Sequence, residues 1–382
     1  MISMKSNRSH YIENINKGMI GQEVILGGWV EDLRKMGKMT FLTLRDATAI
    51  TQIILTDDVM KSIDDITRQS VVRVAGKIQD TKARDFECEI KASEINVLAR
   101  AVHPLPIDPI GRLESHIDNR LNSRALDMRN QKTASIFKIR HHVLASLRQT
   151  FLEKKFTEIT TPKIIGSASE GGANLFSLDY FGKQAYLAQS PQLYKEQMTI
   201  GLERVFEIAS FYRAEKSHTG RHLSEFTSVD MEAAFMDYSD VMDVLEDLVL
   251  NTFKHVSENC KDEQKIIGNQ ITIPDRPFEK ITYSDALDEL NQKDVKLEFG
   301  DDLLDSHLRI IGENHTGFYF LTDWPIKLKP FYIMENQDNP EISESFDLQF
   351  GYLELSSGGT RLHNPEKIKN RLAEQGLDPA KF

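Results

Sequence analysis

The chain has 382 residues, 40% of them hydrophobic and 27% charged, with a formal net charge of −11. That length accommodates two or three domains with a sizeable core, and the balance excludes a disordered chain. No apolar run approaches the roughly 20 residues of a membrane span, the N-terminal MISMKSNRSH lacks a secretory core, and two distant cysteines, Cys88 and Cys260, argue for a reducing cytoplasm.

The acidic excess is uneven. Residues 1–130 hold 19 Lys and Arg against 18 Asp and Glu, whereas residues 131–382 hold 28 against 40. A polyanion is therefore permitted at the N-terminal part, and the larger part presents an acidic surface.

Along the first hundred residues, short strands alternate with turn signals: Val24–Val30, Phe41–Arg45, Gln52–Leu55, Val71–Ile78 and Phe86–Val97. With a helical stretch over Asp58–Gln69 before the fourth, they predict a small barrel of the OB type. Pro104, Pro106, Pro109 and Gly111 then punctuate Ala101–Asn130, as in an interdomain hinge. Apolar residues at helical spacing predict helices over Gln131–Phe156, from near Ser239, and over Phe278–Leu290. Strands are expected near Gly317–Leu321, Phe331–Met334 and Ser345–Leu355, and a polar helix over Pro365–Gln375. Mixed elements without strict βα alternation give an α+β class, with a largely antiparallel sheet in the second domain.

The glycine-rich phosphate loop, the dinucleotide fingerprint, the nucleophile elbow and the zinc-protease motif are all absent from the sequence. A nucleotide would have to be held by side chains. Three clusters could do so. Alternation around Phe211–Glu215 and Phe226–Glu232 predicts a hairpin with its loop over Lys216–His222, flanked by Arg213 and Arg221. Planar guanidinium groups suit phosphoryl oxygens. Glu170-Gly-Gly-Ala-Asn174 allows a mobile acidic loop, and Gln192 and Lys195 share a helix face after Pro191. In Phe350–Arg361, Glu354 and Ser357 offer oxygen ligands for a hard cation, and Gly358-Gly359 lets the backbone pass close to a ligand before Arg361.

Together these clusters resemble the class II aminoacyl-tRNA synthetases, and among them the archaeal- and eukaryote-type aspartyl enzymes. Phe156–Ile164 looks like the family's first motif, which implies a homodimer, and Phe211–Glu232 like its second. Ala188–Lys195 and Leu355–Arg361 match the aspartate group. The resemblance implies an OB-fold anticodon-binding domain over 1–102, a hinge over 103–130 and a class II catalytic domain over 131–382, its antiparallel sheet flanked by helices. The enzyme would be cytoplasmic and would join L-aspartate to tRNA(Asp), with tRNA(Asn) as a second acceptor, at the expense of ATP.

Residue by residue, the resemblance makes Arg213 the catalytic group, touching both the α-phosphate and the amino acid. Ala214, Glu215, Arg221, His222, Leu223 and Glu354 join it at ATP. Glu170, Gln192, Leu193, Tyr194, Lys195, Ser357 and Arg361 would bind aspartate, and Glu354 and Ser357 would hold magnesium. Lys195 is the discriminator, because asparaginyl relatives usually carry Leu there. Arg34, Phe41 and Gln52 would meet anticodon bases. Glu31 stands where strict enzymes tend to place an aromatic, which predicts relaxed tRNA choice. The family continues beyond the position of Phe382 with a third motif, so the sequence is expected to be a piece of a longer protein. The alternative is a truncated, inactive relative that binds tRNA or the amino acid.

Overall fold

Along Met39–Arg45, Thr40, Leu42 and Leu44 turn inward while Phe41, Thr43 and Arg45 face outward, the period of a strand with one buried face. Four more strands join it, with the period interrupted where both faces are covered or a bulge intervenes. β1 (Glu23–Met36), β2 (Met39–Arg45), β3 (Ile50–Thr56), β4 (Val71–Gln79) and β5 (Glu89–Ala99) close a barrel in the order β1-β2-β3-β5-β4. Leu26, Val30, Leu42, Leu44, Ile53, Leu55, Val72 and Val74 fill it. At Gly28 an added Cβ would lie 2.4 Å from the Arg45 carbonyl oxygen, so only glycine lets β1 approach β2 there. The structure, a computed structural model, describes residues 8–61, 66–166, 175–214 and 223–381.

The barrel expected from the sequence is present, with longer strands because β1 and β2 pair out to Met36 and Met39. The helix expected over Asp58–Gln69 is corrected. α1 is described over Asp57–Lys61, residues 66–70 are not helical, and Gln69 takes a left-handed φ of 68° while its N–H donates to the Val30 carbonyl. α2 (Ile117–Asn122) and α3 (Arg124–Asp127) follow, held by the Asp127 carboxylate between Arg120 and Arg124. The chain divides into two units, Met1–Ala134 and Ser135–Phe382.

The second unit comprises, in chain order, α4 (Gln131–Glu153), which begins just before it, β6 (Thr157–Glu158), β7 (Ile164–Ile165), β8 (Ser177–Tyr180), β9 (Lys183–Leu187), α5 (Gln192–Leu202), β10 (Arg204–Tyr212), β11 (Glu225–Ala233) and α6 (Tyr238–Asn259). Then come α7 (Lys261–Ile267), β12 (Glu279–Thr282), α8 (Tyr283–Gln292), α9 (Asp305–Asn314), β13 (Phe318–Thr322), β14 (Ser345–Phe350), β15 (Leu353–Gly359) and α10 (Pro365–Glu374). Two sheets matter most, β11-β10-β6 and β12-β13-β14-β15, and most of their pairings are antiparallel. α6 supports both. Its Val244 and Leu248 pack with Phe151, Phe156 and Phe206, and its Met242 with Phe278, Phe320, Phe346 and Leu348. One helix thereby fixes the two sheets against a common apolar backing. Among the described residues no helix is long and apolar enough to cross a membrane.

Three expectations are corrected here. The helix expected from Phe278 begins at Tyr283, because Glu279–Thr282 pairs in parallel with β13 and Thr282 and Asp285 form a capping box. Phe331–Met334 makes only an isolated bridge from Ile333 to Arg361 and packs under α10. Ser345–Leu355 is broken into β14 and β15 by a turn at Gly351, whose φ is 56°. α7 and α9 were not anticipated from the sequence.

The His315 ring, just past α9, lies 2.8 Å from both Glu279 and Glu289 and so ties β12 to α8. Burial pulls its pKa down, but the two carboxylates outweigh it and the net shift is upward. The stabilisation is therefore full below the unfolded value of about 6.5 and is lost as pH rises through the raised folded value. The melting temperature should fall across that window, and Glu289→Gln should flatten the dependence. An unchanged slope in that variant would remove the role given to the clamp.

Candidate functional site

β11 places Ser228, Asp230 and Glu232 on one face, two residues apart. α5 presents Gln192, Lys195, Glu196 and Thr199, the i, i+3, i+4 and i+7 positions of one helical stripe. Both line a cavity of about 1790 Å³ bordered by β11 and β15, the end strands of the two sheets. That is more room than one small ligand needs.

The polar groups converge there. Lys195, with 8% of its side chain exposed, has Nζ 3.2 Å from Asp230 Oδ1 and 3.6 Å from Glu232 Oε2. Ser228 Oγ donates to the other Asp230 oxygen at 2.5 Å. The Arg361 guanidinium donates twice to Glu232, at 2.9 and 3.1 Å, and lies 3.6 Å from Glu196 and 5.1 Å over the Tyr332 ring. Burial works against the Arg361 charge, but Glu232, together with Glu196 and Tyr332, more than offsets it and the pKa is raised. Two cations are thus held at the cavity wall by carboxylates from other elements.

The placement of the remaining expected residues is mixed. Arg213 follows β10, its N–H donating to the Ser224 carbonyl at 3.1 Å and its guanidinium lying 5.4 Å over the Phe226 ring. It is exposed and lines the cavity beside the end of β11. Ala214 follows it, half-buried, and Leu223 is 68% exposed. Leu193 and Tyr194 turn away from the cavity. Leu193 packs against Phe331 and Leu372, and Tyr194 against Ile165, Ala188 and Phe211. Glu170, Glu215, Arg221 and His222 lie outside the described residues.

On β15, register decides the chemistry. Asp347 pairs with Ser357 and Gln349 with Glu354, with a bulge between. In an unbulged strand residues three apart face oppositely; the bulge brings Glu354 and Ser357 onto one face. Both are exposed to the cavity, with the buried Asp347 beside them. Burial raises the Asp347 pKa and the Glu354 carboxylate adds to it, while Lys329, at 3.1 Å, pulls the other way. Two carboxylates and a hydroxyl are hard oxygen donors of the kind magnesium takes alongside water and phosphate. Among the described residues no group of three or more His, Cys, Asp or Glu could hold a metal ion unaided. Asp347 was missed in the sequence, because Ser345–Phe350 alternates polar and apolar residues and reads as a strand with a solvent face, whereas Ser345–Gln349 is buried on both faces. The glycine pair also has a packing reason that sequence reading did not supply. Added Cβ atoms would meet the Phe346 ring at 2.7 Å at Gly358 and the Glu344 carbonyl at 2.6 Å at Gly359, so β14 requires both.

On the barrel, Arg34 pairs with Phe41, Phe41 with Ile54 and Thr43 with Gln52, so Arg34, Phe41 and Gln52 share the outer face. The Gln52 amide donates at 2.6 Å to Glu89, which also accepts from Gln79 and Thr81. Nothing in sequence spacing pointed to Glu89. Glu31 is the extra residue of a bulge between Val30 and Asp32, and lies 3.8 Å from Arg45. Burial raises its pKa, more than Arg45 lowers it.

The family described as tRNA synthetases class II (D, K and N) matches residues 116–382, and the OB-fold nucleic acid binding domain matches residues 24–98. The Aspartate--tRNA(Asp/Asn) ligase of Methanocaldococcus jannaschii is 42% identical, covering 99% of this chain and 88% of its own length. That of Sulfurisphaera tokodaii is also 42% identical, covering 98% and 88%. Among solved structures, the asparaginyl-tRNA synthetase of Pyrococcus horikoshii with asparaginyl-adenylate matches with a TM-score of 0.90 at 31% identity, over 98% of this chain and 88% of that one.

Proposed function

The chain belongs to the class II tRNA synthetases (D, K and N), and we propose that it is an aspartate–tRNA ligase. The α-carboxylate of aspartate attacks the α-phosphorus of ATP and pyrophosphate leaves; a ribose hydroxyl at the tRNA 3′ end then displaces AMP. No protein nucleophile is required, and catalysis rests on positioning and charge. The observation that carries the reading is the pair of cations, Lys195 Nζ and the Arg361 guanidinium, held at one cavity wall. A side-chain carboxylate can exchange with Asp230 and Glu232 for those cations, and a neutral amide cannot.

Arg213 faces the α-phosphate, with Ala214, Leu223, Glu215, Arg221 and His222 completing the ATP site. Glu170 receives the substrate ammonium, and Gln192 and Ser357 touch the amino acid. Glu354 and Ser357, beside Asp347, hold magnesium, which when bound offsets charge on the phosphates. The exposed Ile136 and Phe137 of α4 give an apolar surface for a homodimer, and the two buried, free cysteines suit the cytoplasm. The test is amino-acid-dependent ATP–pyrophosphate exchange by the full-length protein. Aspartate should support it; exchange with asparagine or lysine in its place would overturn the reading.

Choice of tRNA is placed at the barrel face that carries Arg34, Phe41 and Gln52. Anticodons for aspartate and asparagine differ at one base, and one good base contact is worth about 1–3 kcal/mol. With Glu31 turned toward Arg45, and with relatives whose names specify tRNA(Asp/Asn), the enzyme charges both tRNAs. Transcripts of the two should be aspartylated at comparable kcat/KM. A preference for tRNA(Asp) above roughly a hundredfold, about 2.7 kcal/mol, would show strict choice instead.

A further inference from the structure

The polar wall of the cavity carries more negative than positive side chains. Lys195 and Arg361 face Asp230, Glu232 and Glu196, and Tyr332 closes the far side of Arg361. Before any ligand enters, two cations meet three carboxylates. The cations are not equally shared. Glu232 takes both Arg361 donors at 2.9 and 3.1 Å, and Asp230 takes Lys195 at 3.2 Å together with the Ser228 hydroxyl. Among the described residues, Glu196 has the 3.6 Å approach of Arg361 and the Gln192 amide at 2.6 Å. It is the most weakly compensated acid in the network.

On the reading above, aspartate brings its side-chain carboxylate to these same two cations. Four carboxylates would then share two cations in a partly buried space, and like charges so close favour protonation of one. We propose that Glu196 takes up one proton from solvent when the substrate's side-chain carboxylate binds, so that aspartate affinity is coupled to pH through this residue. As a neutral acid, Glu196 still accepts from Gln192 and leaves Arg361 to Glu232 and the substrate. Its ionisation is already displaced in the required direction. Burial raises its pKa, Glu232 adds to that, and Arg361, Gln192 and Lys195 oppose it. Glu196 is thus a positioning residue that acts through Arg361.

The sign follows from linkage. A group whose pKa rises on binding makes the complex take up protons, so affinity falls as pH increases between the free and bound values, by up to tenfold per pH unit. Below the free value the gain saturates, and near pH 4 the substrate carboxylate itself protonates.

The proposal rests on aspartate being the substrate, and the experiment separates the two claims. Aspartate is titrated into the full-length protein by calorimetry at pH 6, 7 and 8, in buffers of low and high ionisation enthalpy. The expected result is uptake approaching one proton at one or more of these pH values, with a dissociation constant that rises with pH. Glu196→Gln keeps the side-chain shape and the contact with Gln192; it should bind aspartate with uptake near zero and a flat pH profile. Wild-type binding without proton uptake at all three pH values, or undiminished uptake by Glu196→Gln, would overturn the proposal. Absence of any aspartate binding would instead overturn the choice of substrate.

Discussion

Lys195→Leu should raise the aspartate concentration needed for half-maximal pyrophosphate exchange by roughly 10²–10⁴, equivalent to about 3–5 kcal/mol. Lys195 Nζ is the cation shared by Asp230 and Glu232, and its side chain is almost wholly buried. Removing it leaves those two carboxylates facing each other and the incoming substrate with Arg361 alone to balance them. The affinity for ATP should stay within a few-fold, because no contact of Lys195 reaches toward Arg213 or Glu354. The variant separates charge pairing from packing, since leucine fills much of the same volume against β11. A Lys195→Leu enzyme that activates aspartate as well as the wild type would remove the main argument for substrate identity.

The same network marks where sequence reading succeeds and where it stops. Gln192 and Lys195 were legible as one helix face because 3.6 residues per turn is a local rule. The inward and outward alternation of β2 is likewise a local rule, whereas the shared face of Arg34 and Phe41 depends on the register of β1 on β2, past the bulge at Glu31. Leu193 and Tyr194, read by resemblance as part of the aspartate site, turn to the opposite side of that helix, as the same rule requires. The partners of Lys195 and Arg361 were not legible, since Asp230 lies 35 residues from Lys195 and Glu232 lies 129 from Arg361. Only tertiary pairing of β11 with α5 and the end of β15 brings them together. The bulge on β15 is a further case: spacing alone puts Glu354 and Ser357 on opposite faces, and only the offset register unites them with Asp347.

Arg213→Ala should lower the single-turnover rate of adenylate formation by roughly 10²–10³, the range seen when one preorganised charge or donor aimed at a developing anion is removed. The local structure supports a rigid placement. Arg213 continues from β10, its N–H closes onto Ser224 across the hairpin, and its guanidinium rests over the Phe226 ring. A group held this way loses little freedom when phosphate charge builds, so its interaction is strongest in the transition state and shows in the rate more than in binding. Arg213→Lys keeps the charge but not the planar fork and should recover only part of the rate. Aspartate affinity should move far less than in Lys195→Leu, because Lys195 and Arg361 are retained. A variant in which only the Michaelis constant for ATP rises, with the rate of the chemical step intact, would make Arg213 a uniform binding contact rather than a catalytic one.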